Sequence, residues 1–291
     1  MALLGSRCLF LGITANSAAT HKALPIRSLV AVTGFVSLLL LGITPTQCLA
    51  QPPQSDPQAV AFATQAITAL TNGVTVSDVT LTGSVQWTVG SDSENGTVTL
   101  LALGSGESRV DLALQSGTRS EIRDSSSGIG LGEWILSDGS SGLFASQNCW
   151  TDAAWFFPPL TSLARGPNVV LSYLGLESFY GHNAQHIQSY VYQASPGLTV
   201  PSPAQLSVVD FYLDSTTMLP LGLMFNAHPD NNAGANVQYE VDFSNYRAMG
   251  GITVPTHIQK YIQGSLVIDI SINSASLNTG LPLSDFAINN N

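Results

Sequence analysis

Three successive β-strand patterns close the chain, and they constrain its fold more than any other feature. Each alternates apolar and polar residues with period two, so that one face of each strand is apolar and the other polar. The apolar positions of the three segments are Val237, Tyr239, Val241 and Phe243, then Ile252, Val254, Ile258 and Ile262, then Leu266, Ile268, Ile270 and Ile272. A sheet built from such strands must cover its apolar face with a second layer of protein or with an apolar ligand.

The first 50 residues differ in character from the rest of the chain. They contain three basic residues and no Asp or Glu, an apolar run over 28–43 and a small-residue site at 48–50. This organisation is typical of a secretory signal peptide. An uncleaved membrane anchor is the alternative, although the run is shorter than the roughly 20 residues that a spanning helix needs. We therefore expect 1–50 to be a signal peptide, 51–55 a linker and 56–288 a single domain, exported to the periplasm or outside the cell with no integral membrane part.

The balance of charge argues against two classes of partner. The chain has nine Lys and Arg against nineteen Asp and Glu, for a net charge of −10. Nucleic acids and anionic membrane surfaces are both bound through clustered basic side chains, so neither is an expected partner.

The sequence also lacks the patterns that mark an active site. It has no nucleophile elbow and no phosphate-binding glycine loop. His182 and His186 are four residues apart, but in the predicted loop and strand they would lie roughly 13 Å from one another, too far for one metal ion. Cys149 is the one cysteine after residue 50, and its position beside Trp150, Trp155 and Phe156 predicts an inert buried thiol. We expect no catalysis, no metal and no cofactor.

A helix followed by many strands is predicted along the domain. Asp56 and Pro57 favour a helix start, Asn72 and Gly73 a stop, and the intervening apolar positions are Val60, Ala63, Ile67 and Leu70. Strand patterns then cover 79–89, 97–103, 109–114, 118–124, a hairpin within 132–145, 186–193, 206–213, 219–225 and the three closing segments. Between Asn148 and Leu174 the pattern lapses, and we expect one or two short helices. The prediction is a mainly β (α+β) fold with one large antiparallel sheet of about ten or eleven strands, which will twist and curl.

Large apolar residues are the remaining candidates for a binding site. If the sheet curls and a helix only partly fills its concave side, some of them will line an apolar cavity, and otherwise they are core. The candidate cavity residues are Trp87, Phe144, Trp150, Trp155, Phe156, Phe211, Phe225, Val241, Ile258 and Ile270.

Motifs in the second half of the chain occur in a characteristic order. An Asp138-Gly139 turn precedes an aromatic strand, the pattern Y-R-x-x-x-G-x-x-x-P begins at Tyr246, and an N-x-x-x-x-x-x-x-F element runs from Asn278 to Phe286. Together they resemble the outer-membrane lipoprotein carrier superfamily, the LolA/LolB-like proteins, of which this chain is identified as a divergent member. The resemblance implies an incomplete, curved antiparallel barrel with helices covering its concave face, an apolar cavity that holds acyl chains, and no catalysis.

Two functional hypotheses follow. The first is an exported, non-enzymatic binder or carrier of a lipid, acylated or other apolar ligand, related to the sorting of outer-membrane lipoproteins. The alternative is a secreted structural or protein-interaction module whose concave face is filled by its own side chains. A cavity of several hundred Å³ favours the binder, whereas native packing throughout favours the module. The oligomeric state is left open.

Overall fold

The computed structural model describes residues 53–124, 130–151, 153–164, 166, 168–193, 202–229 and 231–289. The predicted signal peptide, 1–50, lies outside the described residues. The helices are α1 (Pro57–Thr71), α2 (Asn148–Thr151) and α3 (Pro203–Leu206), with 3₁₀ turns at Pro158–Leu160 and Leu283–Phe286. The strands are β1 (Asp78–Val89), β2 (Asp92–Leu103), β3 (Glu107–Leu114), β4 (Gly117–Asp124), β5 (Leu131–Ile135), β6 (Ser141–Leu143), β7 (Val169–Phe179), β8 (His182–Val191), β9 (Val209–Asp214), β10 (Pro220–Ala227), β11 (Val237–Met249), β12 (Ile252–Ile262) and β13 (Ser265–Leu277).

All thirteen described strands belong to one antiparallel sheet. Its order is β6-β5-β4-β3-β2-β1-β13-β12-β11-β10-β9-β8-β7, so that sequence neighbours pair throughout and β1 joins β13. β6 and β7 are the edges, and the sheet is not closed into a barrel. The predicted fold class is therefore confirmed, with thirteen described strands where about ten or eleven were expected.

Several strands differ from the sequence prediction. β8 begins at His182 rather than at residue 186, and β9 begins at Val209 because Leu206 ends helix α3. β2 begins at Asp92 rather than at residue 97, because the chain reverses tightly at Gly90 (φ 62°) and Val89 pairs with Asp92. β7 was not predicted, since the strand pattern was expected to lapse until Leu174. A register shift between Tyr173 and Gly175 interrupts its alternation, which explains why the pattern was missed.

Helix α1 covers one end of the sheet. It starts and stops where predicted, with the Asp56 side chain accepting a hydrogen bond from the Gln58 backbone N–H (2.7 Å) and Asn72 in the left-handed conformation after the last turn. The predicted apolar face is partly wrong, because Val60 is 42% exposed. The buried residues are Ala59, Ala63, Ala66, Leu70 and Thr71. These mostly small side chains allow the helix to approach the strands closely.

The sheet is curved, so that the inner faces of distant strands share one core. We define the inner face as the one that bears Val110 in β3, Phe211 in β9 and Val241 in β11, all members of a single buried cluster. The predicted alternation of the closing strands is confirmed at Val241, Ile258 and Ile270, which are fully buried in this cluster. It is wrong at Leu266, which is 37% exposed, because a register shift between Lys260 and Tyr261 pairs Leu266 with Tyr261.

A smaller cluster lies on the outer face of the sheet. Ile122 of β4 and Leu103 of β2 are buried there beneath Phe286 from the C-terminal 3₁₀ turn. Asp78 fixes this C-terminal segment, because its carboxylate accepts hydrogen bonds from the backbone N–H groups of Thr279 (2.8 Å) and Gly280 (3.0 Å). The segment from Asn278 to Phe286, singled out in the sequence, therefore covers the outer side of the first strands.

Candidate ligand-binding cavity

Among the residues that the structure describes, one end of the inner face is left unfilled and forms a cavity of about 590 Å³. It lies where β1, β10 and β12 end and β11 and β13 begin, and residues from within β3 and β4 complete its lining. Its apolar lining residues include Trp87, Val110, Leu112, Phe144, Phe225, Val237, Tyr239, Ile262, Leu266 and Ile268. A space of this size and composition is typical of small-molecule sites.

Strand register explains why these side chains converge. Trp87 of β1 pairs with Ile268 of β13, which in turn pairs with Lys260 of β12. Phe225 of β10 pairs with Tyr239 of β11, and their rings stack with centroids 5.3 Å apart. Because paired residues point to the same face, a row of large side chains crosses the sheet at this level.

The loop between β10 and β11 forms part of the rim. The Asn148 side chain donates to the carbonyl oxygen of His228 (3.0 Å) and accepts from the His228 N–H (2.8 Å). These reciprocal bonds tie the start of α2 to the loop, and both residues line the cavity.

Four charged side chains also line the cavity. Arg119, Glu121 and Arg123 alternate along β4, and Lys260 comes from β12 on the other side of the curved sheet. Arg123 and Lys260 are only 5% and 3% exposed. Charged groups this deeply buried are rare unless they are paired or functional.

Aromatic rings support each of the three cations. The Arg119 guanidinium lies 4.3 Å from the ring centre of Trp87, and that of Arg123 lies 4.1 Å from Phe144. The Lys260 ammonium lies 4.5 Å from the ring of Trp155. Such cation–π contacts compensate part of the lost hydration and hold the charges against the cavity wall.

Glu121 is the single carboxylate among the described lining residues. Its Oε2 accepts a hydrogen bond from Arg123 Nη1 at 2.9 Å. Burial raises the pKa of the Glu121 carboxyl, but attraction to Arg123 and Lys260 and this hydrogen bond outweigh it, and the net pKa is lowered. Glu121 is therefore ionised at neutral pH and compensates one of the three positive charges.

Aromatic residues of the chain itself cover another part of the inner face. Trp155, Phe156 and Phe157, which precede the Pro158–Leu160 turn, are at most 2% exposed and pack in the same core cluster as α1. Trp155 contacts the ammonium of Lys260, which does line the cavity.

The candidate residues predicted from the sequence divide accordingly. Trp87, Phe144 and Phe225 line the cavity. Six others are buried in the core cluster without lining it: Trp155, Phe156, Phe211, Val241, Ile258 and Ile270. Trp150 is half-buried in α2 and is not a lining residue. Cys149 is fully buried, as predicted.

The charged lining residues were missed, although the sequence contains a signal for them. In β12, Lys260 lies two residues from both Ile258 and Ile262 and so occupies the apolar face. In β4, Arg119, Glu121 and Arg123 share one face while Ile122 has the other. A charged side chain in register with an apolar face is the kind of exception that indicates a site.

No protein-family model matches the sequence, and no curated protein matches it either. Solved structures do resemble it in fold. A Vibrio parahaemolyticus domain described as an outer membrane lipoprotein-sorting protein has a TM-score of 0.52 at 12% identity, over 79% of this chain and 96% of its own. A LolA superfamily protein from Nitrosomonas europaea has a TM-score of 0.50 at 11% identity, over 79% and 97%. A DUF1329 family protein from Desulfovibrio piger has a TM-score of 0.50 at 10% identity, over 81% and 98%.

The fold and the cavity define a class of proteins in which an open, curved antiparallel sheet is partly covered by helices. This chain has the fold of the LolA-like proteins in that class, as its motifs predicted, at an identity that indicates a divergent sequence. In the part of the chain that the structure describes, no helix is both long and apolar enough to cross a membrane.

Proposed function

We propose that this protein is an exported, non-enzymatic binder or carrier of a lipid, acylated or other apolar ligand, and that the cavity at the end of the inner face is the binding site. The single observation that carries the proposal is the unfilled space of about 590 Å³ beside the buried core cluster. Protein interiors normally leave few voids larger than a water molecule. A space this large, lined by Trp87, Phe225 and Tyr239, favours an occupant other than protein.

Two further observations support the proposal. The signal-peptide pattern over 1–50 would deliver the protein outside the cytoplasm, to the periplasm or beyond. The fold is shared with a domain whose description links it to lipoprotein sorting. Acyl chains of a lipoprotein are accordingly within the ligand class that we propose.

The alternative of a structural or interaction module explains only part of the molecule. That hypothesis predicts that the protein's own side chains fill the concave face. This agrees with the end of the sheet that is covered by α1, Trp155 and Phe156. It does not account for the open end, where no described side chain occupies the space between Val110 and Phe225.

Native mass spectrometry of the purified protein, followed by solvent extraction, tests the proposal directly. We expect a non-covalent adduct that is extracted as an apolar compound, and we expect the extracted protein to bind an uncharged fluorescent dye such as N-phenylnaphthylamine. A protein that carries no adduct and leaves the dye fluorescence unchanged would contradict the proposal.

A further inference from the structure

The distribution of basic residues in this acidic protein is uneven. Three of its nine Lys and Arg lie in the first 50 residues, which leaves six for the rest of the chain. Three of those six, Arg119, Arg123 and Lys260, line the cavity. The chain has nineteen Asp and Glu, yet Glu121 alone among them is found in the described lining.

This arrangement is not what a purely apolar ligand requires. Burying a charge costs free energy through lost hydration, and an uncharged lining would bind a hydrocarbon equally well. Among the described lining residues, Arg and Lys side chains outnumber carboxylates by three to one, although the protein as a whole has a net charge of −10.

The three cations are held in place rather than left mobile. Arg119, Arg123 and Lys260 each lie within 4.5 Å of the centre of an aromatic ring that packs at or beneath the cavity. β4 and β12 present them from two sides of the curved sheet, next to the apolar wall formed by Val110 and Phe225. Fixed cations beside an apolar wall match a molecule with an acidic group and a hydrocarbon chain.

We propose that the cavity binds an anionic amphiphile, whose carboxylate or phosphate group is held among Arg119, Arg123 and Lys260 while its chain packs on the apolar wall. The inference rests on the proposed function and narrows the ligand class. The volume favours one chain: at ~30 Å³ for each group of water size, the cavity accommodates about 20 such groups. A single acyl chain with its acidic group is of this size.

Ligands with one chain and different head groups provide the test. Displacement of N-phenylnaphthylamine is measured with laurate, dodecyl phosphate, dodecanol and dodecylamine, all at low salt. We expect laurate or dodecyl phosphate to bind at least tenfold more tightly than dodecanol, because charge-assisted hydrogen bonds form only to the anion. Dodecylamine is expected to bind more weakly than dodecanol. Acetate and inorganic phosphate alone should displace little dye, which separates a lipid head group from a free anion.

Variants assign the preference to the cations. Lys260→Met keeps a long unbranched side chain and removes the charge, and it should reduce the ratio of laurate to dodecanol affinity about tenfold. Glu121→Gln raises the net charge of the lining and should increase that ratio. Arg247→Met is the matched control, since Arg247 is exposed on β11 outside the cavity and should leave the ratio unchanged.

The outcomes separate this inference from the function on which it rests. Equal affinities for laurate, dodecanol and dodecylamine would overturn the inference and leave the apolar binder intact. Failure to bind any of them, or the dye, would overturn both. If Lys260→Met does not fold, the Glu121→Gln result decides alone: an unchanged or smaller ratio of laurate to dodecanol affinity would refute the anionic site.

Discussion

Val110 and Val254 allow a matched test of whether the cavity is real empty space. Both lie on the inner face and both are buried, at 5% and 0% exposure, but only Val110 lines the cavity. Replacing either by Phe adds four carbon atoms to the side chain. At Val254 the core is filled, so Val254→Phe should lower the free energy of unfolding by about 1–3 kcal/mol through overpacking.

At Val110 the added ring has room. The four added carbons fill only a small part of the 590 Å³ cavity, and the larger side chain would bury roughly 40 Å² of additional apolar surface, worth about 1 kcal/mol at ~25 cal/mol per Å². We therefore expect Val110→Phe to leave the unfolding free energy of the ligand-free protein unchanged or to raise it by up to about 1 kcal/mol. The same ring would occupy part of the site, so that apolar dye binding should weaken.

Urea denaturation of the extracted, ligand-free proteins measures the difference. The midpoint should be unchanged or higher for Val110→Phe and lower for Val254→Phe, with similar slopes. Dye titration should show weakened binding for Val110→Phe only. The cavity does not exist as free space if Val110→Phe is destabilised as strongly as Val254→Phe. The same conclusion follows if Val110→Phe binds the dye as tightly as the parent protein does.

Three further changes test the framework around the cavity. Asp78→Ala removes the acceptor for the C-terminal segment and should lower the unfolding free energy by about 3 kcal/mol in urea titrations, with exposed Asp92→Ala as a near-neutral control. Phe286→Ala should cost about 3–5 kcal/mol in the same titrations, and a smaller loss than for Asp92→Ala would contradict its role as a cover. Burial, followed by the Glu240 charge, raises the pKa of Asp242 from 3.8 to about 7, so that the folded state holds a proton that the unfolded state has lost. The free energy of unfolding should therefore decrease as the pH rises from 4 to 7 and stay at its lower value above pH 7. Asp242→Asn should remove this decrease. If the free energy of unfolding changes equally between pH 5 and pH 8 in the parent protein and in Asp242→Asn, the effect is excluded.

Features with a local cause could be predicted from the sequence. The limits of α1 depend on Asp56 and on Asn72, whose effects are confined to the adjacent turn. The closing strands were predicted because a period of two over many residues has a single structural interpretation. The edge strand β7 was missed, since the register shift beyond Tyr173 breaks that period and leaves Leu174 and Leu176 exposed.

The location of the cavity could not be predicted, because it depends on contacts between distant segments. Phe211 and Phe225 both point to the inner face, and nothing local distinguishes the one in the core from the one at the cavity. The difference arises because the loop carrying Trp155 and Phe156 returns over one end of the sheet only. Sequence patterns specify which face is apolar, whereas the path of a loop decides what covers it.

The charged lining of β4 depends on the outer face of the same strand. A strand alternates its side chains, so Arg119, Glu121 and Arg123 can point inward only if Ile122 points outward. An apolar residue on the outer face of a sheet would be exposed to water if nothing covered it, and here Phe286 provides that cover. Because the C-terminal segment covers Ile122, β4 can carry an apolar residue on the outer face and charged residues on the inner face. The closing strands have mostly apolar residues on the inner face instead. One of the segments by which the chain resembles the LolA-like proteins therefore also covers the outer side of the strand that carries the charged lining.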